Sequence, residues 1–128
     1  MAETYLRREK MTILVVDDDA GARRTMVDLL MAHGIERILT AETKHEALRR
    51  FRNDPAIRVV ISDFHLPDGN GHELHAELHP ELHARGAKFV AMSGKFTETT
   101  VKYFERHGVD LIHKPHIWKG IQSVARNK

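Results

Sequence analysis

Polar side chains follow four apolar segments of the sequence, at the point where each segment ends. Acidic residues come after the first segment, a single carboxylate after the second, a hydroxyl after the third and an ammonium group after the fourth. The candidate site residues are Asp17 and Asp18, then Asp63, Ser93 and Lys114. If the four segments are parallel strands, their carboxyl ends share the sheet edge where open α/β folds bind ligands. The five side chains are therefore predicted to converge.

The chemistry of this set follows from its charges. Three carboxylates within a few ångströms repel one another unless a hard cation lies between them. Mg²⁺ is the best candidate, because it takes carboxylate, water and phosphoryl oxygens as ligands. Lys114 and Ser93 complete a clamp for an anionic group at Asp63. A carboxylate nucleophile, a divalent metal, an ammonium and a hydroxyl are together the parts that phosphoryl transfer requires.

The elements that would position these side chains alternate regularly along the chain. Continuous apolar runs such as Thr12–Val16 and Val59–Ile61 are typical of parallel strands that are buried on both faces. Segments between the runs have apolar residues at three- and four-residue steps, as amphipathic helices do. The strand–helix unit occurs five times. We therefore predict a doubly wound α/β domain of the flavodoxin-like kind, (βα)5, with a five-stranded parallel sheet.

Several residues predict where helices begin and end. Gly34 and Gly108 are expected to close the first and fourth helices, and Thr97 to cap the start of the fourth. Pro80 is expected to end or kink the third helix, because proline lacks a backbone donor and clashes with the preceding turn.

Length and composition limit the class of protein. The chain has 128 residues, 41% hydrophobic and 30% charged, which predicts one domain at 11–128 after a charged tail at 1–10, without an output domain. Cysteine is absent, and neither a signal peptide nor a membrane-spanning segment is present, so a cytoplasmic location is expected. The net charge is only +2, and the basic residues are spread along the chain. Both observations argue against nucleic acid or a membrane as partner.

The site motifs resemble the receiver domain of two-component response regulators, from Ile13 almost to the C-terminus. Each motif is weak alone, but the four occur in order, each at a predicted strand end. They are the acidic pair in Val15-Val16-Asp17-Asp18, the phosphorylation motif Asp63-x-x-x-Pro67-x-x-x-Gly71, the hydroxyl step Ser93-Gly94 and the pair Lys114-Pro115.

The resemblance implies a specific role for each residue. Asp63 would accept a phosphoryl group from a sensor histidine kinase or a histidine phosphotransfer protein. Mg²⁺ would be held by Asp18, Asp63 and the backbone carbonyl of His65, with Asp17 acting largely through water. Ser93 and Lys114 would contact the phosphoryl oxygens. Such a protein catalyses only its own phosphorylation and dephosphorylation, and signals to a downstream protein target.

The sequence also departs from the family pattern. Leu111 stands three residues before the lysine, where the family usually has an aromatic switch residue. His65 and Lys95 occupy positions where the family varies its dephosphorylation rate, and Lys95 is expected to point to solvent. The expected readout face comprises the last strand and the last two helices, including Lys102, Arg106 and Trp118.

Two other functions fit parts of the pattern. Asp17-Asp18-Asp19 also resembles the nucleophile motif of haloacid-dehalogenase-like phosphatases, with Asp17 as the nucleophile, but no acidic residue follows Lys114 as those enzymes require. A receiver-like interaction module that no longer switches is the other alternative, and Leu111 favours it.

Histidines at positions 75, 79 and 83 are four residues apart and could line one face of a helix. Such spacing can bind Zn²⁺ or Ni²⁺. Pro80 interrupts the segment, however, and alternation with Leu74, Leu78 and Leu82 favours a solvated polar border of an amphipathic helix.

Overall fold

A five-stranded parallel sheet forms the centre of the structure, a computed structural model that describes residues 11–114 and 117–126. Its strands are β1 (Thr12–Val16), β2 (Arg37–Ala41), β3 (Ile57–Asp63), β6 (Lys88–Ser93) and β7 (Asp110–His113). The order across the sheet is β2-β1-β3-β6-β7, with every pair parallel. The predicted fold class is therefore confirmed. A two-stranded antiparallel hairpin, β4 (His65–Leu66) and β5 (Gly69–Asn70), lies within the loop after β3.

Five helices cover the two faces of the sheet. They are α1 (Ala20–Ala32), α2 (Lys44–Asn53), α3 (Gly71–Arg85), α4 (Glu98–Arg106) and α5 (Ile117–Arg126). Side chains alternate along β1, so Leu14 belongs to one apolar cluster and Ile13 to the other. The first cluster includes residues of α2, α3 and α4, and the second includes residues of α1 and α5. Because the strands are buried on both faces, their sequences are continuous apolar runs.

Local capping agrees with most of the sequence predictions. The Thr97 side chain accepts a hydrogen bond from the backbone N–H of Thr100 at the start of α4. Gly34 and Gly108 follow α1 and α4 with φ of 89° and 67°, a conformation that glycine adopts without strain. At the start of α3, Asn70 and Glu73 form a reciprocal capping box.

Pro80 was expected to end or kink the third helix, and the first of these two outcomes is wrong. α3 continues through Pro80 to Arg85. Leu74, Leu78 and Leu82 are all buried in the core on either side of the proline. Burial of these side chains outweighs the local preference, because tertiary packing supplies most of the stability of a helix in a protein.

The last helix lies unusually close to its strand. A Cβ atom placed on Gly120 of α5 would be 2.7 Å from Cγ1 of Ile112 in β7. A side chain at this position would therefore force the helix and strand apart. Among the described residues, no helix is long and apolar enough to cross a membrane.

Candidate functional site

Three aspartates meet at the carboxyl edge of the sheet. β1 and β3 are adjacent, with Val16 paired to Ser62, so Asp17 and Asp18 follow one strand beside the end of the next, at Asp63. One carboxylate oxygen from each aspartate can be chosen so that all three lie within 4.8 Å of one another. Asp17 and Asp63 are buried, whereas Asp18 is exposed. The cluster is therefore open to solvent on one side.

The three aspartates after β1, at positions 17–19, have two different roles. Asp19 is the N-cap of α1, and its side chain accepts a 2.8 Å hydrogen bond from the N–H of Ala22. Asp17 has one carboxylate oxygen bonded to the N–H of Asp19 at 2.9 Å, and its carbonyl accepts from the Arg23 guanidinium at 2.8 Å. Helix capping thus accounts for Asp19, while Asp17 and Asp18 belong to the cluster. The sequence did not reveal this division.

Lys114 provides the positive charge next to the aspartates. Its Nζ lies 3.1 Å from Oδ1 of Asp63 and 3.3 Å from Oδ2 of Asp17. The backbone N–H of Lys114 donates to the carbonyl of Ser93 at 2.9 Å, which fixes the end of β7 to the end of β6. The lysine is therefore positioned by its backbone as well as by its side chain.

Burial and the Asp63–Lys114 ion pair shift the pKa values of these two residues in opposite directions. Burial raises the pKa of Asp63, and Asp17 adds to that increase, while Lys114 acts against it. Burial lowers the pKa of Lys114, but the hydrogen bond and charge of Asp63, together with Asp17, raise it more. The cluster thus has three carboxylates and one ammonium, which contacts two of them. The charge and oxygen donors of the site fit a divalent hard cation, which would favour the ionised form of Asp63.

Ser93 lies beside this cluster but is occupied within its own loop. β6 pairs with β3 so that Met92, the preceding residue, is opposite Asp63. The buried hydroxyl of Ser93 donates to the carbonyl of Lys95 at 3.1 Å and accepts from the Lys95 N–H at 3.0 Å. Lys95 itself is exposed, as predicted. Among the described residues, the Ser93 side chain has no hydrogen bond to the acidic cluster.

The loop after Asp63 is held in place from both ends. The N–H of Phe64 donates to the Met92 carbonyl, and the N–H of Gly71 donates to the Phe64 carbonyl, both at 2.7 Å. A Cβ on Gly71 would lie 3.2 Å from Cα of Phe64, which explains the small residue at this position. His65 is in the short strand β4 with its side chain exposed. Its backbone carbonyl remains a predicted metal ligand.

Asp68 anchors the middle of the same loop to α2. Its two carboxylate oxygens accept hydrogen bonds from the backbone N–H groups of Lys44 and His45, at 2.7 and 2.8 Å. These backbone bonds hold the pKa of Asp68 below its usual value, against the opposing effect of burial. Asp68 is therefore a structural anchor, and the loop that borders Asp63 is tied to a neighbouring helix.

A row of aromatic rings links the site to α4 and β7. Phe96 lies in the loop between Ser93 and α4, and its ring centroid is 6.5 Å from those of both Phe64 and Phe104 and 5.1 Å from that of His113. Leu111 packs against the first apolar cluster, to which Phe104 belongs. This row was not predicted from the sequence. The available signal was that Phe64 directly follows Asp63 and that Phe96 comes three residues after Ser93.

The other predicted residues differ in their environment. His79 and His83 are exposed on α3, as expected, but His75 is 2% exposed, so its assignment to a solvated border is wrong. His75 bonds to the hydroxyl of Tyr103, which satisfies it inside the protein. Lys102 and Arg106 are exposed. The side chain of Trp118 and the whole of residues 1–10 and Pro115 lie outside the described part of the chain.

Comparison with known proteins gives a consistent result. The family model described as "Response regulator receiver domain" matches residues 13–124. The two-component response regulator ORR12 of Oryza sativa is 30% identical, with 80% of this chain and 85% of that protein covered. ARR2 of Arabidopsis thaliana is 29% identical over 92% of this chain, which spans 18% of that protein's length. The chemotaxis protein CheY1 of Helicobacter pylori is 36% identical over 50% of this chain and 52% of that protein. The chain thus spans about half or less of the length of two of these relatives.

Solved structures show the same fold. A CheY-like receiver domain from Methanospirillum hungatei superposes with a TM-score of 0.79 at 25% identity, covering 89% of this chain and 90% of that one. A CheX-CheY-BeF3-Mg complex from Borrelia burgdorferi includes a chain with a TM-score of 0.77 at 23% identity, covering 89% of this chain and 88% of that one. The fold, the order of the site residues and the match over residues 13–124 agree, and this chain belongs to the response regulator receiver domain family.

Proposed function

We propose that this receiver domain accepts a phosphoryl group on Asp63 in a Mg²⁺-dependent reaction, and that it signals through protein contacts. The observation that supports this most directly is the position of Lys114, 3.1 Å from Asp63 within a cluster of three carboxylates. A buried carboxylate that serves only structure does not need two further acids beside it, because their charges raise the energy of its ionised form.

In the proposed reaction, a carboxylate oxygen of Asp63 attacks the phosphorus of a phosphohistidine on a partner protein. The new O–P bond forms as the P–N bond breaks, and the imidazole leaves with the electron pair of that bond. The donor would be a sensor histidine kinase or a histidine phosphotransfer protein. Hydrolysis later returns Asp63 to its free form as water takes up the phosphoryl group.

The residues around Asp63 have separate roles in this proposal. Asp18, Asp63 and the carbonyl of His65 would hold Mg²⁺, with Asp17 acting largely through water, and the ion would supply positive charge to a phosphoryl oxygen. The Lys114 ammonium moves from the Asp63 carboxylate to the new phosphoryl group. The Ser93 hydroxyl exchanges its bond to the Lys95 carbonyl for a bond to a phosphoryl oxygen, which changes the loop that leads into α4.

Phe96 is the proposed link from that loop to the readout face. Its ring packs against Phe104 of α4 and His113 of β7, so movement of the loop changes contacts on both elements. This arrangement replaces the aromatic residue that the family usually has at the position of Leu111. The exposed Lys102 and Arg106 of α4 are then available to a downstream protein.

Intact-mass spectrometry tests the reaction. Wild-type protein incubated with acetyl phosphate and Mg²⁺ is expected to gain one labile phosphoryl group, and a chelator should prevent the gain. Asp63→Asn should abolish it and Asp17→Asn should reduce it. Asp28→Asn, at an exposed carboxylate on α1, is the matched control and should leave labelling unchanged.

A receiver-like module that does not switch is the second candidate, and Leu111 is the observation that favours it. It predicts that wild-type protein gains no adduct while a known receiver is labelled under the same conditions. Equal labelling of wild type and Asp63→Asn would place the reaction elsewhere and overturn the proposal. A phosphatase with Asp17 as nucleophile has less support, because no acidic residue follows Lys114 as those enzymes require.

A further inference from the structure

Three histidine rings form a triangle where α3 packs against the end of α4. His75 and His79 lie one turn apart on α3, and His107 is the residue that follows α4. The three ring centroids are 5.3 Å apart in every pairing. A surface cavity of about 170 Å³ adjoins them and is lined by all three rings, together with His83 and Lys88.

The triangle lies far from the aspartate cluster. Lys88 begins β6 and Ser93 ends it, so the two sites are at opposite edges of the sheet. Five steps along a strand correspond to roughly 16 Å. The triangle therefore has no part in the chemistry proposed for Asp63.

The separation of the rings matches a tetrahedral metal site. A zinc–nitrogen bond is about 2.0–2.1 Å long, so a ring centroid lies about 3.2 Å from the metal, and two rings at a tetrahedral angle lie about 5.2 Å apart. All three observed separations agree with that value. The ring centres thus already have the spacing that three ligands would need.

Tyr103 prepares two of the rings to act as ligands. The backbone carbonyl of Tyr103 lies 2.9 Å from Nδ1 of His107. Because a carbonyl can only accept a hydrogen bond, Nδ1 bears the proton and Nε2 has a free lone pair in the neutral ring. The Tyr103 hydroxyl lies 2.8 Å from Nδ1 of His75, and can likewise accept a bond from that nitrogen. Outer partners of this kind orient metal-binding histidines and fix their tautomer.

The cavity beside the three rings also offers a fourth ligand. His83 is exposed one turn beyond His79 and lines the same cavity, so it or a water molecule can fill a fourth position.

We propose that His75, His79 and His107 form a binding site for a transition-metal ion such as Zn²⁺, which joins α3 to α4. Among the described residues, only the three aspartates already have ligand atoms mutually within 4.8 Å, so the histidine nitrogens must turn inward on binding. His79 can do so because its ring is exposed and makes ring contacts but no hydrogen bond within the described part of the chain.

Isothermal titration calorimetry with Zn²⁺ tests the site, using the full chain without an affinity tag and with Mg²⁺ in excess to occupy the aspartates. We expect one zinc ion per chain. His79→Gln and His107→Gln should each weaken binding at least ten-fold. His79 is exposed and His107 is half-buried at the end of α4, so both variants should fold. His45→Gln, at an exposed position on α2, is the matched control and should bind as wild type does.

The same titration separates this site from the aspartates. Asp63→Asn should retain the zinc site, and Co²⁺ should give the intense visible absorption of a four-coordinate complex in wild type but not in His79→Gln. The proposal is overturned if zinc binding is lost in Asp63→Asn and kept in His79→Gln and His107→Gln, or if the wild type binds no zinc. Neither result depends on whether Asp63 is phosphorylated.

Discussion

The ammonium of Lys114 lies 3.1 Å from a carboxylate oxygen of Asp63 and thereby compensates part of the charge of the residue proposed to be phosphorylated. The same ammonium is 3.3 Å from Asp17, so one lysine serves two buried acids. The lysine side chain is 25% exposed, which leaves space for an incoming group on its solvent side.

Replacement of Lys114 by methionine should destabilise the metal-free protein, because two buried carboxylates would lose their counter-charge. Removing one partner of a fully buried pair costs about 3–5 kcal/mol, and partial exposure here reduces the expected loss to roughly 1–2 kcal/mol. Urea denaturation measures the loss. Mg²⁺ should restore part of it, and Lys102→Met at an exposed position should change stability by less than about 0.5 kcal/mol. An unchanged stability in Lys114→Met would contradict the assigned pairing.

Asp63→Asn should have the opposite effect on the metal-free protein. The folded state raises the pKa of Asp63, mainly through burial, so ionised Asp63 is disfavoured by folding. The stability that protonated Asp63 provides is present below its unfolded-state pKa and is lost as the pH rises through its folded-state pKa. At pH 7.5 the neutral amide should therefore increase the free energy of unfolding, by about 1 kcal/mol. Denaturation in a chelator tests this, and Mg²⁺ should stabilise the wild type more than the variant.

The buried histidine makes the fold sensitive to mild acid. The pKa of His75 falls from 6.5 to about 4 on folding, so its contribution is complete above pH 6.5 and is lost as the pH falls toward 4. Complete loss of this contribution would lower the free energy of unfolding by about 3 kcal/mol. Solvent in the adjoining cavity reduces the expected loss to roughly half of that. Among the described residues, the charged or titratable groups around His75 are His72, His79, Tyr103 and His107, with His83 and Lys88 lining the adjoining cavity.

The free energy of unfolding measured against pH in a chelator checks this contribution. The slope between pH 6.5 and 4 should be smaller in His75→Gln than in the wild type. His113→Gln removes an exposed ring and should keep the wild-type slope. Identical slopes for His75→Gln and the wild type would show that His75 is protonated equally in the folded and unfolded states.

Phe96→Leu should separate phosphorylation from its readout. Phe96 supplies no group to the proposed reaction at Asp63, so the acetyl phosphate adduct should form at the wild-type level. Amide chemical-shift changes in residues 98–106 and 110–113 on phosphorylation should fall by about half, because the contacts with Phe104 and His113 are lost. Phe89→Leu, at a buried phenylalanine outside this row, controls for a loosened core, which typically costs about 1 kcal/mol. Full shift changes in Phe96→Leu would exclude the proposed route.

The sequence was most informative where strand ends determine position. Asp17, Asp63, Ser93 and Lys114 could be placed together because parallel strands put their carboxyl ends at one edge. The bonding of the Ser93 hydroxyl to Lys95 could not be predicted, because it depends on the path of a loop rather than on any periodicity. The same holds for the division between Asp19 and its neighbours, which follows from where α1 begins.

Features that depend on contacts between helices could not be predicted from the sequence either. The continuation of α3 through Pro80 results from burial of leucines against several other elements, which local propensity does not include. Spacing along α3 suggested His75, His79 and His83 as a group. It could not suggest His107, which is brought to His75 by the packing of α4 on α3.

The bare backbone at Gly120 has a mechanical consequence. The backbone of α5 packs directly against the side chain of Ile112, and no side chain of α5 lies between them at that point. A displacement of β7, the strand that leads into Lys114, would therefore be passed to the helix as a rigid-body tilt instead of being absorbed by rotamer changes. From Gly120 to Arg126 the helix extends about 9 Å, so it would act as a lever that enlarges a small strand shift at its far end.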